Sequence, residues 1–254
     1  GGFEYLGFAK VAEGGLREDG NGDEIIGSGT DLLSGLGKLA YEAQSGDRVE
    51  LSYERVVDDE IRPYRANLGA IIGGRPLPAD RPYDLERTNI VLSYSDTTPT
   101  AMWNPTARLA YSGTKLVNDE SALSTNSITS GETVSLSGEF SNRFALSWGE
   151  LNAGLDFYSD EADLDYRDLS SGAREAATEK LSNIGLFAQA RIEPTPNARL
   201  SFGARADFQD FEGTDGSSQS ESGLSGNISG EYDLSDDLTI SAGYSHVWGG
   251  LELA

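Results

Sequence analysis

Apolar side chains recur at every second position along most of the chain and almost nowhere at the spacing of a helical stripe. The clearest run sets Leu238, Ile240, Ala242 and Tyr244 against Thr239, Ser241, Gly243 and Ser245. Leu200, Phe202, Ala204, Ala206 and Phe208 alternate in the same way with Ser201, Gly203, Arg205, Asp207 and Gln209. Weaker versions pass through Val49, Leu51 and Tyr53, through Ile90, Leu92 and Tyr94, through Leu151, Ala153, Leu155 and Phe157, and through Ile184, Leu186, Ala188, Ala190 and Ile192. Successive side chains of an extended strand point to opposite faces, so the pattern predicts an all-β chain of about 11 strands. The expected spans are 3–12, 31–43, 48–58, 85–96, 106–117, 132–146, 150–166, 182–193, 198–211, 222–234 and 238–249.

The connections between these spans alternate between short and long. Short ones run from Gln44 to Asp47, Thr97 to Pro105, Ser147 to Gly149, Pro194 to Asn197 and Ser235 to Asp237. Long ones, at 13–30, 59–84, 118–131, 167–181 and 212–221, are filled with Gly, Ser, Asp, Glu and Pro. An up-and-down meander with one trimmed and one elaborated end is the asymmetry of an outer-membrane barrel, with tight periplasmic turns and longer outer loops. A soluble β-sandwich is the alternative, and its hairpins need not sort by length. Aromatic placement favours the barrel, because Trp and Tyr collect where hydrocarbon meets headgroups. Trp103 and Trp148 lie within short turns, and Tyr41, Tyr94 and Tyr232 sit just before short turns. Trp248 lies about ten residues up its strand from one, about a membrane thickness away, so it is expected in the opposite belt.

Composition removes many other functions. With 42 acidic and 19 basic side chains the formal charge is −23, which repels a phosphate backbone and argues against a nucleic-acid partner. Cysteine is absent and His246 is the only histidine, so thiolate chemistry, structural zinc and haem ligation by a histidine pair are excluded. No catalytic residues, resident metal or cofactor are expected, and no enzyme. The longest apolar run, Leu68 to Gly74, is far short of the roughly 18 residues a spanning helix needs. Barrel strands escape that test. An odd strand count leaves two unpaired edges, and the expectation is that residues 1–254 form a single portion of a barrel belonging to a longer protein.

Several strings resemble TonB-dependent outer-membrane receptors. Gly243-Tyr244-Ser245-His246-Val247-Trp248-Gly249-Gly250-Leu251-Glu252-Leu253-Ala254 looks like a mid-barrel strand of that family, where a Gly-Tyr-Ser opening precedes a short turn and a Glu-Leu. Arg48-Val49-Glu50-Leu51-Ser52-Tyr53-Glu54, followed by Arg62-Pro63-Tyr64-Arg65-Ala66-Asn67, resembles an earlier hairpin. The resemblance implies an antiparallel up-and-down transmembrane barrel of about 22 strands, of which this chain supplies half. It also implies a plug domain and energy from the TonB complex through an N-terminal region not in this chain. The expected partners are outer-membrane lipid, lipopolysaccharide and a small-molecule nutrient such as a ferric chelate, and the expected location is the bacterial outer membrane. The aromatic-Arg-Ala-Pro stretch of many haem receptors is absent, with Trp248-Gly249-Gly250 in its approximate place, which argues against haem.

Arg62, Arg65, Arg75 and Arg81, interleaved with Tyr64 and Tyr83, form the main basic concentration, in the longest loop. Arg with Tyr suits anionic, oxygen-rich ligands through bidentate hydrogen bonds and stacking, so these six are the expected ligand-binding residues. The alternative is a loop balanced by Asp58, Asp59, Glu60, Asp80 and Asp84. Asp19, Asp23, Glu24 and the run Asp160, Glu161, Asp163 and Asp165 lack EF-hand spacing and read as solvated charge rather than a Ca²⁺ site. His246 follows the phase of Tyr244 and reads as an interfacial neutral imidazole. The expected function is a nutrient receptor and transporter, with a passive porin as runner-up, then an outer-membrane enzyme and a soluble adhesive β-domain.

Overall fold

The computed structural model describes residues 1–64, 71–72, 75–76 and 78–253, with backbone alone for 71–72 and 75–76. The strands are β1 (Gly2–Gly14), β2 (Thr30–Glu42), β3 (Asp47–Pro63), β4 (Ile71–Ile72), β5 (Arg75–Pro76), β6 (Asp80–Asp96), β7 (Pro105–Asp119), β8 (Ser127–Leu146), β9 (Gly149–Asp168), β10 (Arg174–Thr195), β11 (Ala198–Glu212), β12 (Ser218–Ser235) and β13 (Leu238–His246). Eleven of them form one antiparallel sheet in the order β1-β2-β3-β6-β7-β8-β9-β10-β11-β12-β13. It is an open sheet, a partial barrel. β4 and β5 form a two-residue antiparallel pair within the connection from β3 to β6. The described residues contain no helix.

Register carries the apolar phase from strand to strand. Tyr53 lies opposite Ile90, Ile90 opposite Tyr111 and Tyr111 opposite Leu136. Farther along, Leu155 faces Leu186, Ile184 faces Phe208, Phe202 faces Ile228 and Ile228 faces Tyr244. Side chains directly opposed across an antiparallel pair share a face, so these residues make one apolar band on the outer face. The opposite, inner face carries Glu50, Asn89, Glu139, Asp156, Arg205 and Asp207 in the alternate phase.

Burial separates the two candidate β architectures. A sandwich hides its apolar face against a second sheet, yet the buried hydrophobics among the described residues are Ala40, Leu181 and Ala190. Ile184 is 58% exposed, Phe208 53% and Leu224 72%. An apolar face of that extent is stable only against hydrocarbon, so the soluble-domain alternatives do not hold.

The strands run farther than the alternation shows. At one end, the turn end, the connections are 43–46, 97–104, 147–148, 196–197 and 236–237, close to expectation. At the other, the loop end, the expected loops 118–131, 167–181 and 212–221 contract to 120–126, 169–173 and 213–217. The turn-end connection 97–104 is therefore longer than any of these three, and connection lengths do not sort strictly by end. Residues such as Ser127–Thr133, Glu161–Asp168 and Arg174–Lys180 are largely polar on both faces yet keep the ladder. Beyond the hydrocarbon nothing requires an apolar face, so alternation stops while backbone pairing continues.

Candidate functional site

Two regions of the inner face gather polar and aromatic side chains. The first is the loop end of β3 and β6, where the sequence points to ligand binding. Arg62 and Arg81 lie directly opposite each other in the ladder, and Tyr83 lies opposite Glu60 two residues nearer the band. Arg62 donates to Asp58 at 3.0 and 2.8 Å and to the carbonyl oxygens of Gly27 and Gly29 at 3.2 and 2.9 Å. Its guanidinium thereby ties the 15–29 connection to β3. Arg81 sits over the Tyr64 ring at 5.2 Å and pairs with Glu120 at 3.3 Å. Glu120 is buried, and its Oε2 and the Arg81 Nε are buried without a partner. The structure thus brings Arg62, Tyr64, Arg81 and Tyr83 to one mouth. Arg65 lies outside the described residues, and Arg75 is placed in β5 by its backbone alone. On the outer face nearby, burial and a hydrogen bond with Asp59 push the Asp84 carboxyl above its ordinary range.

The aromatic residues assigned to the membrane boundary are at the turn end, with one exception. Tyr41, Tyr94 and Tyr232 stand in the outer phase near turns, Trp103 lies within 97–104 and Trp148 within 147–148. Tyr94 donates its hydroxyl to Asp47 at 2.6 Å. Trp248 is placed differently. β13 ends at His246, and residues 247–253 fold back across the inner face as a strap. The Trp248 amide donates to Ser225 Oγ at 3.1 Å and the Leu251 amide to Gln209 Oε1 at 2.7 Å. The Trp248 indole occupies the space where a side chain on Gly223 would stand. Gly223 faces inward with Asp207, its partner in the ladder, so Trp248 is an inner-face residue and not the outer belt residue its phase suggested.

The strap borders the second region, a half-open cleft of about 500 Å³ on the inner wall of β9 to β13. Arg205 links two carboxylates, donating to Asp207 through Nε at 2.9 Å and to Asp156 through Nη2 at 2.8 Å. Asn183 donates Nδ2 to Asp207 at 3.0 Å, and Gln209 donates Nε2 to the Tyr158 hydroxyl at 2.6 Å. Phe187, Tyr158 and Trp248 supply aromatic surface to the same cleft. These residues were missed as a site because their signal is only the polar phase of two strands and a Gly-Gly pair after the last. No local motif marks residues brought together by register across five strands. Among the described residues no three His, Asp or Glu side chains converge as a metal site.

A profile of the family described as "TonB dependent receptor-like, beta-barrel" matches residues 28–250. The heme transporter BhuA of Brucella ovis is 30% identical over 256 residues, covering 99% of this chain and 37% of that protein. The chain therefore spans little more than a third of the length of the curated relatives it matches. Among solved structures, the FrpB iron transporter from Neisseria meningitidis superposes with a TM-score of 0.76 at 16% identity, covering 96% of this chain and 42% of that one. The Serratia marcescens hemophore receptor HasR, solved as a double mutant with its hemophore HasA and heme, gives 0.71 at 20% identity, covering 95% and 40%. At these identities the structural matches speak for the fold.

Proposed function

The chain belongs to the TonB-dependent receptor β-barrel family, and we propose that it is part of an outer-membrane receptor importing chelated iron, with haem as the leading ligand. Proteins of this family are nutrient receptors of the bacterial outer membrane, and a passive porin is not favoured. The observation that carries haem is the similarity, along 99% of the chain, to proteins named heme transporters. It outweighs the missing aromatic-Arg-Ala-Pro stretch, which concerns a few residues near 248. With one histidine in the chain, the iron is not held by a histidine pair from these residues. Recognition then rests on the porphyrin carboxylates, for which Arg is the matching donor.

In this proposal Arg62, Arg65, Arg75, Arg81, Tyr64 and Tyr83 meet the ligand at the loop-end mouth. The Arg81–Tyr64 stack and the four internal hydrogen bonds of Arg62 support it by holding both guanidinium groups at that mouth. Residues 1–254 form a single barrel portion, completed by further strands and a plug domain elsewhere in the protein. TonB supplies the energy, lipid and lipopolysaccharide surround the outer face, and the protein is not an enzyme. The test is growth of an iron-starved host lacking its own haem receptors but expressing the full-length protein. Growth on haemin that vanishes when TonB is inactivated is expected. Growth on a ferric siderophore but not on haemin would replace haem by another chelate, and TonB-independent growth would refute active uptake.

A further inference from the structure

We propose that Glu120 is an internal counter-ion that competes with the ligand's carboxylates for Arg81, and so sets how tightly the loop-end mouth holds an anionic ligand. The role rests on the reading that an anionic iron chelate meets the mouth residues. It falls to a residue of the 120–126 connection, 39 positions along the chain from Arg81.

The two described guanidinium groups of the mouth differ in what they still offer. Arg62 commits both terminal nitrogens, Nη1 to the carbonyl oxygens of Gly27 and Gly29 and Nη2 to both oxygens of Asp58. Among the described residues Arg81 has one hydrogen bond, from Nη1 to Glu120 Oε1 at 3.3 Å, and its Nε is buried without a partner. A well-formed arginine–carboxylate pair is a fork of two parallel bonds of about 2.7–2.9 Å. Arg199 forms one with Asp233, at 2.9 Å through both Nη1 and Nη2. The contact of Arg81 with Glu120 is single and longer, so most of its donors remain uncommitted.

Glu120 is no better served. It is 3% exposed, and its Oε2 is buried with no partner. Its backbone is fixed, because its amide donates to the Ser127 carbonyl at 2.9 Å and its own carbonyl accepts from the Leu123 amide at 3.0 Å. The 120–126 connection thereby holds the carboxylate at the edge of pairing distance. A buried carboxylate with one long bond gains little in return for its desolvation, so the pair is a weak anchor for the fold.

Its electrostatic effect is larger than its structural one. The Arg81 side chain is 28% exposed, so a ligand carboxylate reaches the open part of the guanidinium while Glu120 stays beneath it. Two carboxylates then share one positive charge, and each weakens the other's hold. A ligand without carboxylates escapes this competition. If Glu120 served only to tie the 120–126 connection to β6, its charge would leave ligand affinity unaffected.

The experiment compares the full-length protein with its Glu120→Gln and Glu120→Asp variants in nanodiscs. The probes are haemin and haemin dimethyl ester, which has the same ring but no free carboxylate. Glu120→Gln keeps an oxygen for Arg81 Nη1 and removes the charge, so it should bind haemin about tenfold more tightly than the unaltered protein. The ester should bind both equally, and Glu120→Asp, which restores the charge, should bring haemin affinity back. Without ligand, the rate at which phenylglyoxal modifies Arg81, followed by mass spectrometry, should rise about threefold in Glu120→Gln. The rate at Arg62 should stay the same. Failure of the unaltered protein to bind haemin would remove haem as the ligand, and the phenylglyoxal rates would then decide the role of Glu120. Equal haemin affinity with and without the Glu120 charge, equal gains for haemin and its ester, or an unchanged rate at Arg81 would overturn the proposal.

Discussion

Arg62 makes four hydrogen bonds within the chain, and each has a consequence that removal exposes. Replacing Arg62 by Ala should raise amide exchange around Gly27 and Gly29 while leaving barrel assembly normal. Replacing Arg62 and Arg65 together should weaken binding of an anionic iron ligand by roughly 1.5 to 3 kcal/mol per charged hydrogen bond lost. Unchanged uptake with unchanged salt dependence would reduce this mouth to a solvated cover. Asp84, on the outer face of the same strand ends, offers a pH test of their pairing. Burial and Asp59 raise its folded-state pKa, so its contribution favours folding at low pH and is lost as pH rises through the raised value. Asp84→Asn should therefore protect the outer ends of β3 and β6 at neutral pH and change little near pH 3, measured by amide exchange. The basic concentration at 62–81 was legible in the sequence because the other basic residues of so acidic a chain are spread more thinly. The Arg62 clamp on Gly27 and Gly29 was not, since its partners lie more than 30 residues away.

Strands were legible wherever one face meets lipid. Leu200 to Phe208 and Leu238 to Tyr244 show clean alternation, and the structure extends both as strands. The loop-end extensions were invisible because Glu161–Asp168 and Arg174–Lys180 carry polar residues on both faces. What closes that hairpin is local: Asp168 accepts from the Ser170 hydroxyl at 2.7 Å and the Ser170 and Ser171 amides at 2.8 and 3.1 Å. Those bonds lower its pKa to about 2. A depressed carboxylate stabilises above its unfolded pKa and stops doing so as pH falls through its folded one. The 169–173 turn should keep its amide protection down to about pH 4 and lose it towards about pH 2. Trp248 was misassigned for a related reason, since alternation through His246 gives no sign that the chain leaves the sheet. Gly223→Val should expel the indole, shifting its emission to the red, while β12 stays paired. An unshifted spectrum would remove Gly223 as the seat of the strap.

At the scale of the molecule the defining feature is a single sheet with an apolar outer band, a polar inner wall and scarcely any buried core. β1 and β13 each pair on one side only within this sheet, and open edges recruit other strands. Residues 1–254 refolded alone in detergent should therefore give oligomers or aggregates, and a compact SDS-resistant monomer would show that the sheet closes on itself. The central claim is that alternate residues of each strand face lipid and a polar interior. Nitroxide labels can be attached one at a time at cysteines introduced from Ser201 to Phe208, where the chain has none of its own, in the full-length protein in outer-membrane lipid, with any cysteine outside this chain replaced by serine. Collision with oxygen, which partitions into hydrocarbon, is expected to peak at 202, 204, 206 and 208, and collision with a water-soluble nickel chelate should be low there. Labels at 201, 203, 205 and 207 should lack the oxygen peaks. Oxygen accessibility without a two-residue period, or with the opposite phase, would contradict the barrel assignment directly.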